Sequence, residues 1–367
     1  MGKYAFQEVD KESGTISFEA VRGMQAGKEF YIGMCSFATI YNHFKFNDDP
    51  QIPPNMRAQR KLRQSRIPEI TNYIINNPKD YILSSITVSV GSKISFSPAP
   101  GPGEGGRMGT IIIPIDAPIL INDGQHRSAA IKSAYQQRPE MGNEKMSVVF
   151  FEDKGLHKSQ QMFADLNKHA VKPTRSLGIL YDHRDTFARF IVSLANDVEV
   201  FRGRTEMEKT SISNRSTKFF TLNGIADATR YLLRIKTKTI PADKQQLAKD
   251  YWAEVAKNIP EWNLLNEKKV SPSELRVNYV HAHTNVLNAL GMVGYVLTTQ
   301  PDPWKSKLKG LQKVRWERDD PIWEGKLVID GRMLKTNLGI KKAAEVILAG
   351  CGVDKTLDEF EGQKSQK

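Results

Sequence analysis

Five polar residues, Asp123-Gly124-Gln125-His126-Arg127, stand together between an apolar run and a stretch of helical spacing. Their types suit work on a phosphate or a proton. Asp123 can cap a helix, bind a metal or act as a base, and His126 can donate or accept near neutral pH. Arg127 can fork onto two oxygens, while Gly124 lets backbone approach a ligand closely. Gln125 adds an amide. The competing reading is a capped helix whose polar residues only hold its turn together, and residue spacing leaves both readings open.

The flanks supply the elements that must position these side chains. Ile119, Leu120 and Ile121 form a short apolar run that predicts a buried strand, and Asn122, Asp123 and Gly124 end it as turn formers. Ala130, Ile131, Ala134 and Tyr135 then recur at helical spacing, which predicts a helix starting near His126 or Arg127. The first N–H groups of such a helix lack intrahelical partners and carry partial positive charge, so a phosphate fits against Gly124, Arg127 and Ser128.

Charge favours a polyanionic partner. The 367-residue chain carries a net charge of +12, and neutralising phosphates releases counterions. Arg57, Arg60, Lys61, Arg63 and Arg66 share a ten-residue span without an acid, and Arg202, Arg204, Lys209, Arg215 and Lys218 punctuate a polar loop. These two clusters are the candidate contacts to DNA or RNA, against the alternative of solvated faces.

Periodicity changes along the chain. In the first half, 67–76 predicts a helix, 81–90, 94–96, 111–113 and 147–151 predict strands, and 157–167 predicts another helix ending at Asn167. Asn167 can orient a ligand or cap that helix. Residues 98–106 alternate Pro and Gly without a GKS or GKT ending, which describes a hairpin tip rather than a P-loop. Beyond Ser176 the pattern turns helical, at 187–194, 219–233, 245–256, 280–297 and 338–348. The expectation is an α+β protein with domains at 1–175 and 176–367, the second mainly helical and offering a DNA-binding surface.

Other chemistries are disfavoured. Cys35 and Cys351 lie far apart without metal-type spacing, and His281 and His283 have no third ligand nearby, so the identity of any metal stays unknown. A charged N-terminus and the absence of a long apolar run point to a cytoplasmic protein that does not enter a membrane. The oligomeric state is left open.

Asp123-Gly124-Gln125-His126-Arg127 resembles the motif that names the DGQHR domain of the ParB/sulfiredoxin superfamily. Gln59-Arg60, Arg66-Ile67-Pro68-Glu69-Ile70 and Tyr73-Ile74 resemble that domain's opening helix, and Phe163-Ala164-Asp165-Leu166-Asn167 its later Asn-containing helix. The later stretch from Lys209-Thr210-Ser211-Ile212-Ser213 to Phe220-Thr221-Leu222 is similar to the DndB family in particular. The resemblance implies a ParB/sulfiredoxin-like N-terminal domain and a DNA-binding protein tied to DNA phosphorothioate modification. It also implies transcriptional control of the modification genes and other DNA sulfur modification proteins as partners. Related superfamily members bind or hydrolyse nucleotides at the equivalent turn. The alternative is therefore an NTP-dependent DNA-processing enzyme, an NTPase or nickase, using ATP or another NTP with Mg. Asp123, Gln125, His126 and Arg127 would be its catalytic groups, and Gly124, Arg127, Ser128 and Asn167 would hold the nucleotide. Sulfiredoxin-like repair is disfavoured because Gln125 stands where that family places its reactive Cys.

Overall fold

The computed structural model describes residues 9–10, 12–44, 62–100, 106–153, 155–168, 173–334 and 336–354. The chain divides into two compact units, Met1–Val171 and Lys172–Lys367, which together make a mixed α/β protein.

The first unit is built on one mixed sheet. Its strands are β1 (Val9–Asp10), β2 (Thr15–Gln25), β3 (Lys28–Ser36), β4 (Ile86–Val90), β5 (Ser95–Pro98), β6 (Met108–Pro114), β7 (Ile119–Asp123) and β8 (Lys145–Glu152). Seven of them run in the order β5-β6-β2-β3-β8-β4-β7, with β1 paired to the start of β2. Neighbours are antiparallel except β4 and β8. Strands β2 and β3 form a hairpin closed by Ala26 and Gly27, both at positive φ (48° and 70°), the two-residue turn whose twist matches paired strands.

Among the described residues this unit also has the α-helices α1 (Phe37–His43), α2 (Arg66–Asn76), α3 (Gln125–Gln137) and α4 (Leu156–Lys168). Helices α1 and α2 both pack against α3. Ile86, Val88, Val90, Ile119 and Ile121 alternate inward and share a core with Ile74, Ala130, Ile131 and Ala134. The opposite strand positions, Ser89 and Asn122, meet Met162 of α4. Strand β4 is therefore buried at all five positions.

The structure decides one segment whose pattern is ambiguous and shortens one predicted strand. Residues 37–41 allow either strand or helix by pattern, and they are helical because the Ser36 hydroxyl accepts the Thr39 N–H at 3.1 Å, an N-cap. The β-rich run at 81–90 becomes a strand only from Ile86. Before it, side chains occupy the backbone and its neighbours: the Ile82 N–H donates to the Tyr73 hydroxyl at 3.0 Å, and the Tyr81 hydroxyl donates to Glu144.

The second unit is mainly helical. Its helices are α5 (Arg175–Tyr181), α6 (Thr186–Asp197), α7 (Leu222–Leu233), α8 (Ala242–Asn258), α9 (Pro260–Asn266), α10 (Pro272–Asn278), α11 (Thr284–Thr298), α12 (Trp304–Leu308) and α13 (Asn337–Gly350). Helices α7 and α11 cross so closely that a Cβ on Gly291 would lie 2.1 Å from the Ala228 carbonyl oxygen. Around them Phe201, Phe219, Phe220, Trp252, Trp262, Trp316 and Trp323 fill one aromatic-rich core. Residues 219 and 220 precede α7 rather than opening it, because the Thr221 hydroxyl caps the helix by accepting from Gly224 N–H at 3.1 Å. Among the described residues, no helix is long and apolar enough to cross a membrane.

Candidate functional site

The polar turn sits at the end of the sheet's edge strand. Asp123 is the last residue of β7, and Gly124 carries the chain into α3 at φ 94°. That backbone conformation suits glycine, and the space demands it too: a Cβ there would lie 2.9 Å from Ile86 Cγ1 and 3.0 Å from Arg127 Nη2. Helix α3 starts at Gln125 and has no side-chain cap. Asp123 does not cap it, because its carboxylate is engaged by Arg127.

The motif side chains brace the turn. Arg127 Nη2 donates to Asp123 Oδ2 at 2.7 Å and to the Ser85 carbonyl at 2.9 Å, joining α3 to the segment before β4. Gln125 is buried and donates to the Ile121 carbonyl at 3.2 Å. Asn122, fully buried, donates to Ser89 Oγ at 2.9 Å and approaches Met162 Sδ at 3.0 Å. Three buried polar atoms at this strand end nonetheless have no hydrogen-bond partner: Asn122 Oδ1, Arg127 Nε and Ser128 Oγ. Unmatched groups of this kind cost roughly 1–3 kcal/mol each, which a bound ligand or water can recover.

His126 reaches outward. Its Nε2 accepts the main-chain N–H of Arg63 at 3.0 Å. Arg63 in turn receives the Arg66 N–H on its carbonyl at 3.0 Å, at the start of α2. The N-termini of α2 and α3 are thus linked, and neither has a side-chain cap. Arg63 and Arg66 are exposed there, with Arg66 as the first residue of its helix. A cation in a helix's first turn opposes the helix dipole, so this placement favours an anion nearby.

Of the remaining candidate residues, Arg57, Arg60 and Lys61 lie outside the described residues, as does the side chain of Asn167 in the last turn of α4. The second cluster is largely committed within its own unit. Arg202 donates to the Asn196 and Asp197 carbonyls, both at 2.8 Å, at the C-terminal end of α6. Arg204 donates to the Glu199 and Leu265 carbonyls and to Asn266 Oδ1, each at 3.1 Å. Lys218 Nζ donates to the Gly203 carbonyl at 3.1 Å. Lys209 and Arg215 are exposed.

A residue without a sequence signal shapes that loop. Arg276, only 5% exposed, donates to the Lys218 carbonyl at 2.5 Å, the Asn214 carbonyl at 3.2 Å and the Ser216 carbonyl. Its own carbonyl accepts from His283 Nε2 at 3.0 Å, and burial pushes the His283 imidazole down to about 4. His281 is fully buried, and its Nδ1 accepts from Trp262 Nε1 at 3.0 Å. That leaves the proton of the neutral ring on Nε2, 3.2 Å from Glu261 Oε2 but not aligned for a hydrogen bond. Burial lowers its pKa, with Glu261 opposing. Among the described residues no group of three His, Cys, Asp or Glu side chains converges as a metal site.

A mixed sheet ending in this braced strand-turn-helix, followed by a helical unit, describes a two-unit protein with a polar motif at a sheet edge. The family model for DndB, described as DNA-sulfur modification-associated, matches residues 18–353, and the chain belongs to that family. The family is associated with DNA sulfur modification. No curated protein and no solved structure gives a significant match.

Proposed function

We propose that this DndB-family protein binds double-stranded DNA in the service of DNA sulfur modification and regulates transcription of the modification genes, alongside the other modification proteins. The first unit takes the role of the ParB/sulfiredoxin-like domain. The observation that carries the reading is the joining of the α2 and α3 N-termini through His126 and Arg63, with Arg63 and Arg66 exposed beside them. Two uncapped helix ends and exposed guanidinium groups suit a phosphate backbone, which such contacts position without reading its sequence. In the second unit, Lys209 and Arg215 are the candidates for further phosphate contacts, whereas Arg202, Arg204 and Lys218 support the loop from within. The direct test is a titration of labelled duplex DNA with purified protein at low and moderate salt. Binding that weakens steeply with salt supports the reading, and an absence of binding at low salt refutes it.

The unpartnered Arg127 Nε, Ser128 Oγ and Asn122 Oδ1 favour a second reading that can coexist with the first: a nucleotide held at the turn. The first-turn N–H groups of α3 and the Ser128 hydroxyl suit a phosphate chain, and Asp123, if released from Arg127, would be the carboxylate to hold a phosphate-bound Mg. Bound there, an NTP would supply the energy of phosphate transfer. Asp123, Gln125, His126 and Arg127 would then orient it. The test is NTP hydrolysis with and without duplex DNA, beside Arg127→Ala. Turnover abolished in a variant whose Arg127-independent regions stay folded supports a catalytic turn, and turnover that survives the substitution removes it.

A further inference from the structure

The helical unit contains an open cavity of about 950 Å³ between α7, α11 and the start of α13. Among the described residues its lining comes from the second unit. Asp227, Arg230 and Tyr231 of α7, with Arg234 at its C-terminal cap, line one wall. Lys236 continues that wall, and Asn288 and Tyr295 of α11 line the other side.

The cavity is strongly cationic. Arg230, Arg234 and Lys236 face a single carboxylate among the described lining residues, Asp227, and that carboxylate is already held by Arg175 at 3.0 and 2.7 Å. Arg230 is fixed by the Ile235 and Thr237 carbonyls at 3.3 and 3.4 Å and by the Phe187 ring, 4.0 Å below its guanidinium carbon. Asn337, the first residue of the 14-residue α13, also lines the cavity. The N–H groups at that helix start lack intrahelical partners and favour an anion.

A second observation points to a ligand with more than charge. Asn288 lines the same cavity, is only 9% exposed, and has a buried Oδ1 with no hydrogen-bond partner. A primary amide offers an acceptor and donors side by side, the pattern that pairs with the edge of a nucleobase. Flat surfaces flank it: the half-buried Tyr231 and Tyr295 rings, the latter beneath the Arg234 guanidinium at 4.8 Å. Guanidinium planes and aromatic faces both stack bases. The volume lies in the range of small-ligand sites.

We propose that this cavity binds a mononucleotide, its phosphate on Arg230, Arg234, Lys236 and the α13 N-terminus, its base on the Asn288 amide and the tyrosine side. Two substitutions separate binding from folding. Lys236 is exposed on the cavity wall, so Lys236→Gln removes a cation from the site without disturbing a buried contact. Asn288→Leu removes an unmatched polar group and likewise spares the fold. The experiment is isothermal titration of the full chain with AMP, GMP, CMP and UMP, and with inorganic phosphate as the minimal probe. Expected is saturable binding of at least one nucleotide, weakened about tenfold or more by each variant, with phosphate alone far weaker. No saturable binding at millimolar nucleotide overturns the proposal. So does binding that both variants leave unchanged, or phosphate binding as tight as that of the nucleotides.

Discussion

His126 Nε2 and the Arg63 main-chain N–H lie 3.0 Å apart, 63 residues apart in the chain, and this bond connects the polar turn to the start of the basic helix. The imidazole acts here as an acceptor and ties the segment before α2 to the motif turn. A net hydrogen bond of this kind contributes roughly 0.5–1.5 kcal/mol. It anchors the backbone that carries two exposed arginines.

His126→Ala should therefore loosen the segment more than the domain. Hydrogen exchange at the Arg63 amide is expected to accelerate about tenfold, while exchange in β4 and β8 stays slow. Unchanged protection at Arg63 would show that the bond does not hold the segment.

Gly124→Ala should cost more than an ordinary glycine replacement at positive φ. Gly27 also has positive φ, 70°, but a Cβ there meets nothing within 4 Å, so Gly27→Ala should lose only about 1 kcal/mol. At Gly124 the added methyl meets Ile86 and Arg127 as well, and roughly 2–4 kcal/mol is expected. Urea melts of the two variants compare them, and equal losses would mean that the neighbours yield freely.

Arg276→Ala should release the loop at 214–218. The side chain is buried on three carbonyls that it alone gathers among the described contacts, so a loss of about 2–4 kcal/mol is expected. Limited trypsin digestion should then cut at Arg215 or Lys218 at least several times faster, and an unchanged rate would remove the anchoring role.

Acid should destabilise the second unit before most of its carboxylates titrate. His283, beside Arg276, Arg318 and His281, has its imidazole lowered from 6.5 to about 4 by burial, and His281 is lowered for the same reason. The unfolded chain binds these protons at higher pH than the folded one. The stabilising contribution is thus complete above about pH 6.5, is lost as pH falls towards 4, and levels off below that. For His283 the gap corresponds to roughly 3 kcal/mol at most. The thermal midpoint should drop through that window, and His283→Gln should flatten the drop. A midpoint independent of pH between 4 and 6.5 would contradict the burial argument.

The strand, turn and helix around Asp123-Gly124-Gln125-His126-Arg127 were legible because apolar run, turn formers and helical spacing follow one another locally. What those side chains touch was not. Arg127 meets the carbonyl of Ser85, 42 positions earlier, and no local pattern encodes that meeting. Arg202 and Arg204 read as a DNA-facing cluster by charge alone, yet their guanidinium groups lie on nearby carbonyls, a use of arginine that composition cannot separate from phosphate binding. Arg276 carries no signal of its own, since its partners are main-chain carbonyls about 60 residues away. Trp316 and Trp323 are buried despite the lysines around them in sequence, as bulk and apolar surface dictate.

The account turns on whether Arg63 and Arg66, held beside the motif turn, touch DNA phosphates. The measurement is duplex affinity as a function of salt for the natural chain and for Arg63→Gln/Arg66→Gln. The account predicts a steep log-log dependence that becomes shallower by about 2 in the double variant, close to 0.9 for each phosphate contact removed. An unchanged slope, or affinity indifferent to salt in both proteins, would contradict it.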